Sequence, residues 1–341
     1  MDTSKIDWDR VEKGVERERG RMIWRPYGLP TIVDPERSAF VDAPIQTPWE
    51  IPDKMIVSVA ITGAFFLPEA NPAQPITPPQ ILAQARECAA AGASTIHIHV
   101  RDDAGYNTLS LDRFAEVINP LRDEFDNIAV DGCLVTALDG EWEEMKRVLD
   151  AKLLDAIPVN TTAVYTGDAL FAKPVPLMIE KTRLVQESGS KVLIAVYSDG
   201  DINNADRYLI NSGLVDTPSY WCILPALPGC SPMENPRQMM DGLLRMASAI
   251  YDVDPDATIL VCAAGRATTY LVNAAALLGL HVRVGMEDTV WLWPHKNDKV
   301  QSNLQFFEMA KQLAQVLGRD IATREEYREM VGMPVEAPAP S

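Results

Sequence analysis

Several absences narrow what this chain can be. Its five cysteines (Cys88, Cys133, Cys222, Cys230 and Cys262) are odd in number and form no CxxC pair, which fits reduced, buried thiols in a cytoplasmic protein better than a disulfide framework. No apolar run reaches the ~18 residues of a membrane span. The first residues, MDTSKIDWDRVEKGVERERGRM, are too charged for a signal peptide. Basic residues are outnumbered: 31 Lys and Arg stand against 48 Asp and Glu, for a net charge of −17. That balance argues against nucleic acid and against an anionic membrane surface as partners. There is no GxGxxG turn, no internal repeat and no low-complexity segment. Histidine is scarce too, with four in 341 residues.

What is present reads as an ordinary globular composition, 47% hydrophobic and 23% charged. Residues 1–54 stand apart. Ile6, Trp8, Val11 and Val15 pattern one short amphipathic helix, and a proline-rich stretch follows, expected to be an extended arm. Residues 333–341 are expected to form a flexible tail. Between them, over 55–332, apolar strand segments alternate with helical ones. Strands are expected near 55–61, 94–100, 127–134, 155–160, 191–197, 219–224, 257–263 and 281–286. Helices are expected near 78–91, 111–124, 141–151, 175–188, 203–212, 236–251, 267–279 and 299–317. Near-continuous apolar strands separated by helices indicate a parallel sheet covered by helices. Eight such units fit an α/β fold of the (β/α)8 TIM-barrel type with an N-terminal extension, with an open doubly wound sheet as the alternative. Thr77-Pro78-Pro79-Gln80 and Thr323-Arg324-Glu325-Glu326 read as capping boxes, the second opening a ninth helix.

Two of the four histidines are His97 and His99, on the second strand. Residues i and i+2 of a strand share a face, so both imidazoles can serve one metal ion at the strand's carboxyl end. A pair of hydrogen-bonded core histidines is the competing explanation. The last strand continues as Arg283-Val-Gly285-Met-Glu287-Asp288. Alternation places Arg283, Gly285 and Glu287 on one face, and Val282, Val284 and Met286 on the face that covering helices would use. An inward arginine and glutamate are costly unless paired or metal-bound. Glu287 is therefore the candidate third ligand, with a structural Arg283–Glu287 ion pair as the alternative. Three protein ligands leave a coordination position open, and the ligand types admit Zn, Mn, Fe or Co. Asp288, beside them, can act as a base on a carbon acid or can cap the next helix. Barrels often bind phosphate after strands seven and eight, which makes Gly265 and Arg266 candidates for contact with a ligand phosphate.

At these residues the chain resembles the β-keto acid cleavage enzyme family. The matching pieces are Asn71-Pro-Ala-Gln-Pro-Ile-Thr-Pro78, His97-Ile-His-Val-Arg-Asp102, Val282-Arg-Val-Gly-Met-Glu-Asp288 and Ser302-Asn303, over about 55–332. The resemblance implies a barrel holding zinc through His97, His99 and Glu287. It implies a reaction of a β-keto acid with acetyl-CoA as co-substrate, giving acetoacetate and a new acyl-CoA, with Asp288 as base oriented by Arg283. It also implies polar contacts to the substrate carboxylate from Asn160 and Thr162, and a homo-oligomer, commonly a tetramer. The chain departs from the family in places. Thr62-Gly-Ala-Phe65-Phe66 puts an aromatic where the family often has a glutamate that meets an amino group, so Phe65 is expected to face an apolar or aromatic tail rather than a cationic one. The fifth strand carries Ala195 and no supporting glutamate, a place Asp199 would have to fill, and Cys133 stands near a usual serine. Two other readings keep the same metal residues: a CoA-independent lyase, aldolase or hydrolase, and a catalytically silent binding barrel.

Overall fold

The computed structural model describes residues 3, 4, 6–19, 47–161, 163–231 and 233–335. The chain divides after Ile51. In the first unit, the helix Trp8–Glu18 is capped by Asp7, whose side chain accepts from Arg10 N at 3.0 Å. Trp8, Val11 and Val15 are exposed on it, as is Ile6 just before it. Most of the expected proline-rich arm and the last six residues of the expected tail lie outside the described residues.

The second unit is the expected barrel. Its strands are β1 (Val57–Ala60), β2 (Thr95–Ile98), β3 (Ala129–Gly132), β4 (Ala156–Asn160), β5 (Lys191–Val196), β6 (Tyr220–Ile223), β7 (Thr258–Val261) and β8 (His281–Val284). All neighbours pair in parallel, and β8 closes on β1 with Val282 opposite Val57. The helices are α1 (Pro78–Ala91), α2 (Leu111–Glu124), α3 (Glu141–Asp150), α4 (Val175–Glu187), α5 (Asp199–Ala205), α6 (Pro236–Val253), α7 (Ala267–Leu277), α8 (Asn303–Val316) and α9 (Arg324–Met330).

Strand alternation sorts the apolar side chains into two cores. Val57, Val59, Ile96, Ile98, Val159, Ile194, Ile223, Val282 and Val284 face outward and pack with the helices. Leu193, Tyr220, Cys222, Leu260 and Cys262 face inward and pack with Tyr327, Val331 and Met333 at the C-terminal end of the chain. Helix α9 thus plugs the amino end of the barrel. Each buried Val, Leu or Ile contributes roughly 1.5–3 kcal/mol, so both layers are needed to hold the strands in register.

The helix boundaries follow side-chain chemistry. Gln80 Oε1 accepts from Ile76 N and Thr77 N at 3.0 and 3.1 Å, opening α1 as expected. Glu326 and Thr323 exchange bonds of 2.8 and 3.2 Å, opening α9. The fifth expected helix, 203–212, begins four residues earlier at Asp199 and continues as a π-turn over Asp206–Ile210. Asp201 Oδ2 accepts from Tyr197 N and Ser198 N at 2.8 and 3.0 Å. The Ser-Asp-Gly-Asp run reads as a turn by composition, but its side chains cap a helix instead.

His281 begins β8 at the far end from the strand termini that carry chemistry. Its Nδ1 accepts from Ile56 N at 3.1 Å, and burial pushes its pKa down to about 3, so it is a neutral structural residue. Beside the plug, Asp131 on β3 accepts from Tyr327 Oη at 3.1 Å through Oδ1, while Oδ2 is buried without a partner among the described residues. Burial raises its pKa to about 7. A carboxyl raised on folding stabilises the fold fully below its unfolded pKa of ~4, and that contribution is lost as pH rises through the folded value. We therefore expect Asp131→Asn to gain on the order of 2 kcal/mol relative to wild type between pH 5 and pH 8. Denaturant midpoints of both proteins across that range check it, and parallel pH profiles would remove Asp131 as the cause.

Candidate active site

The carboxyl ends of the strands gather the candidate residues. His97 on β2 and His99 just past it both turn inward and are buried, their rings 5.7 Å apart between centroids. Glu287 arrives from the opposite seam, after β8. Its Oε2 lies 3.3 Å from His97 Nε2 and its Oε1 3.4 Å from His99 Nε2. One donor atom from each of the three residues lies within 4.8 Å of the others. Among the described residues His97 Nε2 and Glu287 Oε2 are buried without a hydrogen-bond partner. Buried polar atoms are nearly always bonded, so two orphans facing each other in a His-His-Glu group fit a divalent cation between them.

The electrostatics agree with that use. Burial pushes His97 down to about 3, leaving the neutral imidazole that ligates metals. Burial opposes ionisation of Glu287, but Arg283 and the two imidazoles outweigh it and hold the carboxyl well below its usual range. Burial also opposes charge on His99, and Glu287 overcomes it, drawing a proton to His99. A cation would displace that proton. His99 Nδ1 lies 2.7 Å from Asn107 Oδ1, which fixes the tautomer with Nε2 free. Asn107 was not anticipated from the sequence. It is carried back over His99 by a short hairpin pairing Val100–Arg101 with Asn107–Thr108, whose turn needs Gly105 at φ +87°. The local signal was the Asp102-to-Gly105 turn immediately after the histidine pair.

Two glycines make room for the third ligand. A Cβ on Gly63 would strike the Glu287 side chain, and one on Gly285, at φ +146°, would strike the Ala60 carbonyl. The bend at Gly285 brings Glu287 N within 3.2 Å of Ala60 O. Asn303, fully buried, ties the ends of β1 and β8 together, donating to Ile61 O and accepting from Met286 N at 2.9 and 2.8 Å. Arg101 donates to Gly105 O and Thr62 Oγ1, and Asn71 to Val300 O, so these motif residues brace the mouth loops.

Arg283 faces inward from β8, as alternation requires. Its Nη2 donates to Glu287 Oε1 at 3.1 Å and to Asp288 Oδ1, and its Nε donates to Asp288 Oδ2 at 3.2 Å. One guanidinium therefore joins the candidate ligand to the candidate base. Burial raises the pKa of Asp288 while Arg283 lowers it, leaving it near about 7. That value suits a group that takes and returns a proton at neutral pH.

The remaining expected residues are distributed around this centre. Asn160, at the end of β4, is buried and donates to Tyr197 Oη at 2.9 Å. Thr162 lies outside the described residues. Its neighbour Thr161 donates to Asp201 O, a structural contact. Phe65 is on the loop after β1, two residues past Gly63, and is 63% exposed. Gly265 follows β7 and donates to Asp288 O at 2.8 Å. Arg266 stacks on Trp291 at 4.1 Å, with its Nη atoms bonded to Lys296 O and Asn297 Oδ1, so it ties the loop after β7 to the loop after β8. Asp199 does not fill the gap at Ala195. It opens α5 and pairs with exposed Arg245 at the surface. A cavity of about 530 Å³ opens near the plug, and the guanidinium groups of Arg319 and Arg324 there are bonded to backbone carbonyls.

Comparison with known proteins adds independent findings. A family model described as beta-keto acid cleavage enzyme matches residues 54–333. A 3-keto-5-aminohexanoate cleavage enzyme of Fusobacterium nucleatum is 28% identical, over 82% of this chain and 98% of its own. A 3-oxoadipate:acetyl-CoA acetyltransferase of Cupriavidus necator is 25% identical, over 82% of this chain and 95% of its own. Among solved structures, a binary complex of ObcA with oxaloacetate superposes with a TM-score of 0.66 at 16% identity, over 76% of this chain and 67% of that one, a likeness of fold.

The geometry makes the metal group testable by itself. His97→Ala and Glu287→Ala are expected to lose stoichiometric divalent metal while keeping the barrel's circular dichroism. Asn107→Ala is expected to weaken metal affinity ~10- to 100-fold by freeing the His99 ring. Elemental analysis and chelator competition measure both; full occupancy in either ligand variant would remove that ligand.

Proposed function

The chain belongs to the beta-keto acid cleavage enzyme family, and we propose that it transfers an acyl group from a β-keto acid to CoA, converting the keto acid and acetyl-CoA into acyl-CoA and acetoacetate. The observation that carries this reading is the inward Arg283 joined to both Glu287 and Asp288, a metal-ligand candidate and a base held in one network. His97, His99 and Glu287 would hold a divalent metal, by ligand type and family zinc. When bound, the ion supplies Lewis-acid polarisation of the keto-acid oxygens.

The chain's own residues account for the proton and the orientation. Asp288, aligned by Arg283, removes a proton from the carbon between the two carbonyls. The carbanion attacks the thioester carbon of acetyl-CoA and expels CoA thiolate. The thiolate then attacks the original keto carbon. The bond between that carbon and the former carbanion carbon breaks, releasing acyl-CoA, and Asp288 returns its proton to acetoacetate. The Arg283 charge keeps Asp288 from floating away from the reacting carbon and offsets its negative charge in a buried setting. Asn160 and Thr162 are proposed for the substrate carboxylate, and Gly265 and Arg266 for CoA. Arg266 would have to exchange its loop bonds for phosphate.

The substrate tail is proposed to be apolar or aromatic. Phe65 stands exposed on the loop after β1, and no carboxylate occurs in Thr62-Gly-Ala-Phe-Phe66 to meet an ammonium.

Two measurements test the proposal. The metal-loaded protein, given acetyl-CoA and β-keto acids with cationic, anionic, apolar and aromatic tails, should yield acetoacetate and a new acyl-CoA by mass spectrometry, fastest with the apolar and aromatic tails. No CoA product from any of them would favour a CoA-independent lyase. Asp288→Asn should retain metal and lose at least ~100-fold in kcat, whereas near-normal turnover would remove Asp288 as the base.

A further inference from the structure

We propose that Tyr197 is a substrate-contacting residue, its hydroxyl donating a hydrogen bond to an oxygen of the bound β-keto acid; this rests on the functional reading above. Tyr197 follows β5 at an inward position, two residues past Ala195 and four past Leu193, which is part of the inner core. Asn160 ends β4 with its Cα opposite that of Ala195. The Asn160 amide donates to Tyr197 Oη at 2.9 Å. The phenol oxygen is thereby an acceptor, and its own proton meets no acceptor among the described residues. Asn160 Oδ1 is also buried without a partner. Turning the amide changes which residue donates but not the outcome. Tyr197 would then donate to Asn160, and the amide N–H groups would be left open. Either way, the pair presents a hydrogen-bond donor that no described part of the chain accepts.

Neighbouring hydroxyls show what a purely structural role looks like here. Tyr327 ends on the Asp131 carboxylate, and Thr161 ends on Asp201 O. The groups that surround Tyr197 electrostatically are Cys133, Cys262, Cys222 and Arg283, none of them a carboxylate. An ionised β-keto acid has only acceptor oxygens, which complements an open donor. Burial keeps the phenol protonated. An O–H whose oxygen already accepts a bond is a stronger donor. With Ala195 beneath it, the ring has no long side chain on its own strand to cover it from below. The sequence did not mark Tyr197, because an apolar strand ending in tyrosine is usually read as core.

The test compares Tyr197→Phe with wild type, both metal-loaded. The ring and its packing stay; only the oxygen goes. We expect kcat/KM with the best keto acid to fall roughly 10- to 100-fold, as when a charged oxygen loses its donor. Acetoacetate binding, followed by calorimetry without turnover, should weaken about tenfold. Metal content and melting midpoint should be unchanged. Wild-type turnover with Tyr197→Phe within twofold in both readouts would overturn the inference and leave the functional proposal standing. A wild-type protein that forms no acyl-CoA and binds no acetoacetate would overturn the functional proposal, and this inference with it.

Discussion

A charged guanidinium inside a closed barrel is the constraint around which the rest of this site is arranged. Arg283 is buried on β8 and cannot reach bulk water. Leaving such a charge unpaired costs several kcal/mol, so the fold must bring carboxylates to it. It brings two, Glu287 and Asp288, both supplied by the turn that immediately follows the same strand. Glu287 is then held with Oε1 toward Arg283 and His99 and Oε2 toward His97. The same interaction that neutralises the arginine thus orients the carboxylate between His97 and His99. Asp288 is left beside both, buried enough to hold a proton near neutrality and close enough to positive charge to release it.

That arrangement depends on backbone features with no chemistry of their own. Gly285 lets the chain turn against the Ala60 carbonyl, and Gly63 leaves the volume that the Glu287 side chain occupies. Asn303, on the last barrel helix, ties the ends of the first and last strands where they meet. The hairpin after β2 returns Asn107 to His99. Each element is a local solution to a backbone hydrogen-bond or packing requirement. Together they hold the candidate ligands from β2 and from the turn after β8, the two strands that flank β1, in one small volume. The plug of Tyr327, Val331 and Met333 closes the opposite end of the barrel, which leaves the mouth as the open end for a substrate.

Family membership sets the class of chemistry, while the differences within the mouth set what this chain does with it. Phe65 offers an aromatic surface on the loop after β1, Ala195 leaves room inside the fifth strand, and Tyr197 with Asn160 supplies polarity above it.

Periodicity alone determined the eight strands, the inward face of β8 and the pairing of His97 with His99, because alternation in a strand is a local rule that long-range packing seldom reverses. It also placed the capping boxes of α1 and α9, whose partners lie three residues apart. Contacts across many residues were decided only by closure of the barrel. The approach of Glu287 to histidines about 190 residues earlier, the tie from Asn303 to Ile61, and the meeting of Asn160 with Tyr197 are of this kind. So is the fate of Asp199, which by sequence lay near the fifth strand's end but by helix geometry pairs with Arg245 on the surface. Residue type fixes what a side chain can bond to; only the register of eight strands fixes what stands within its reach.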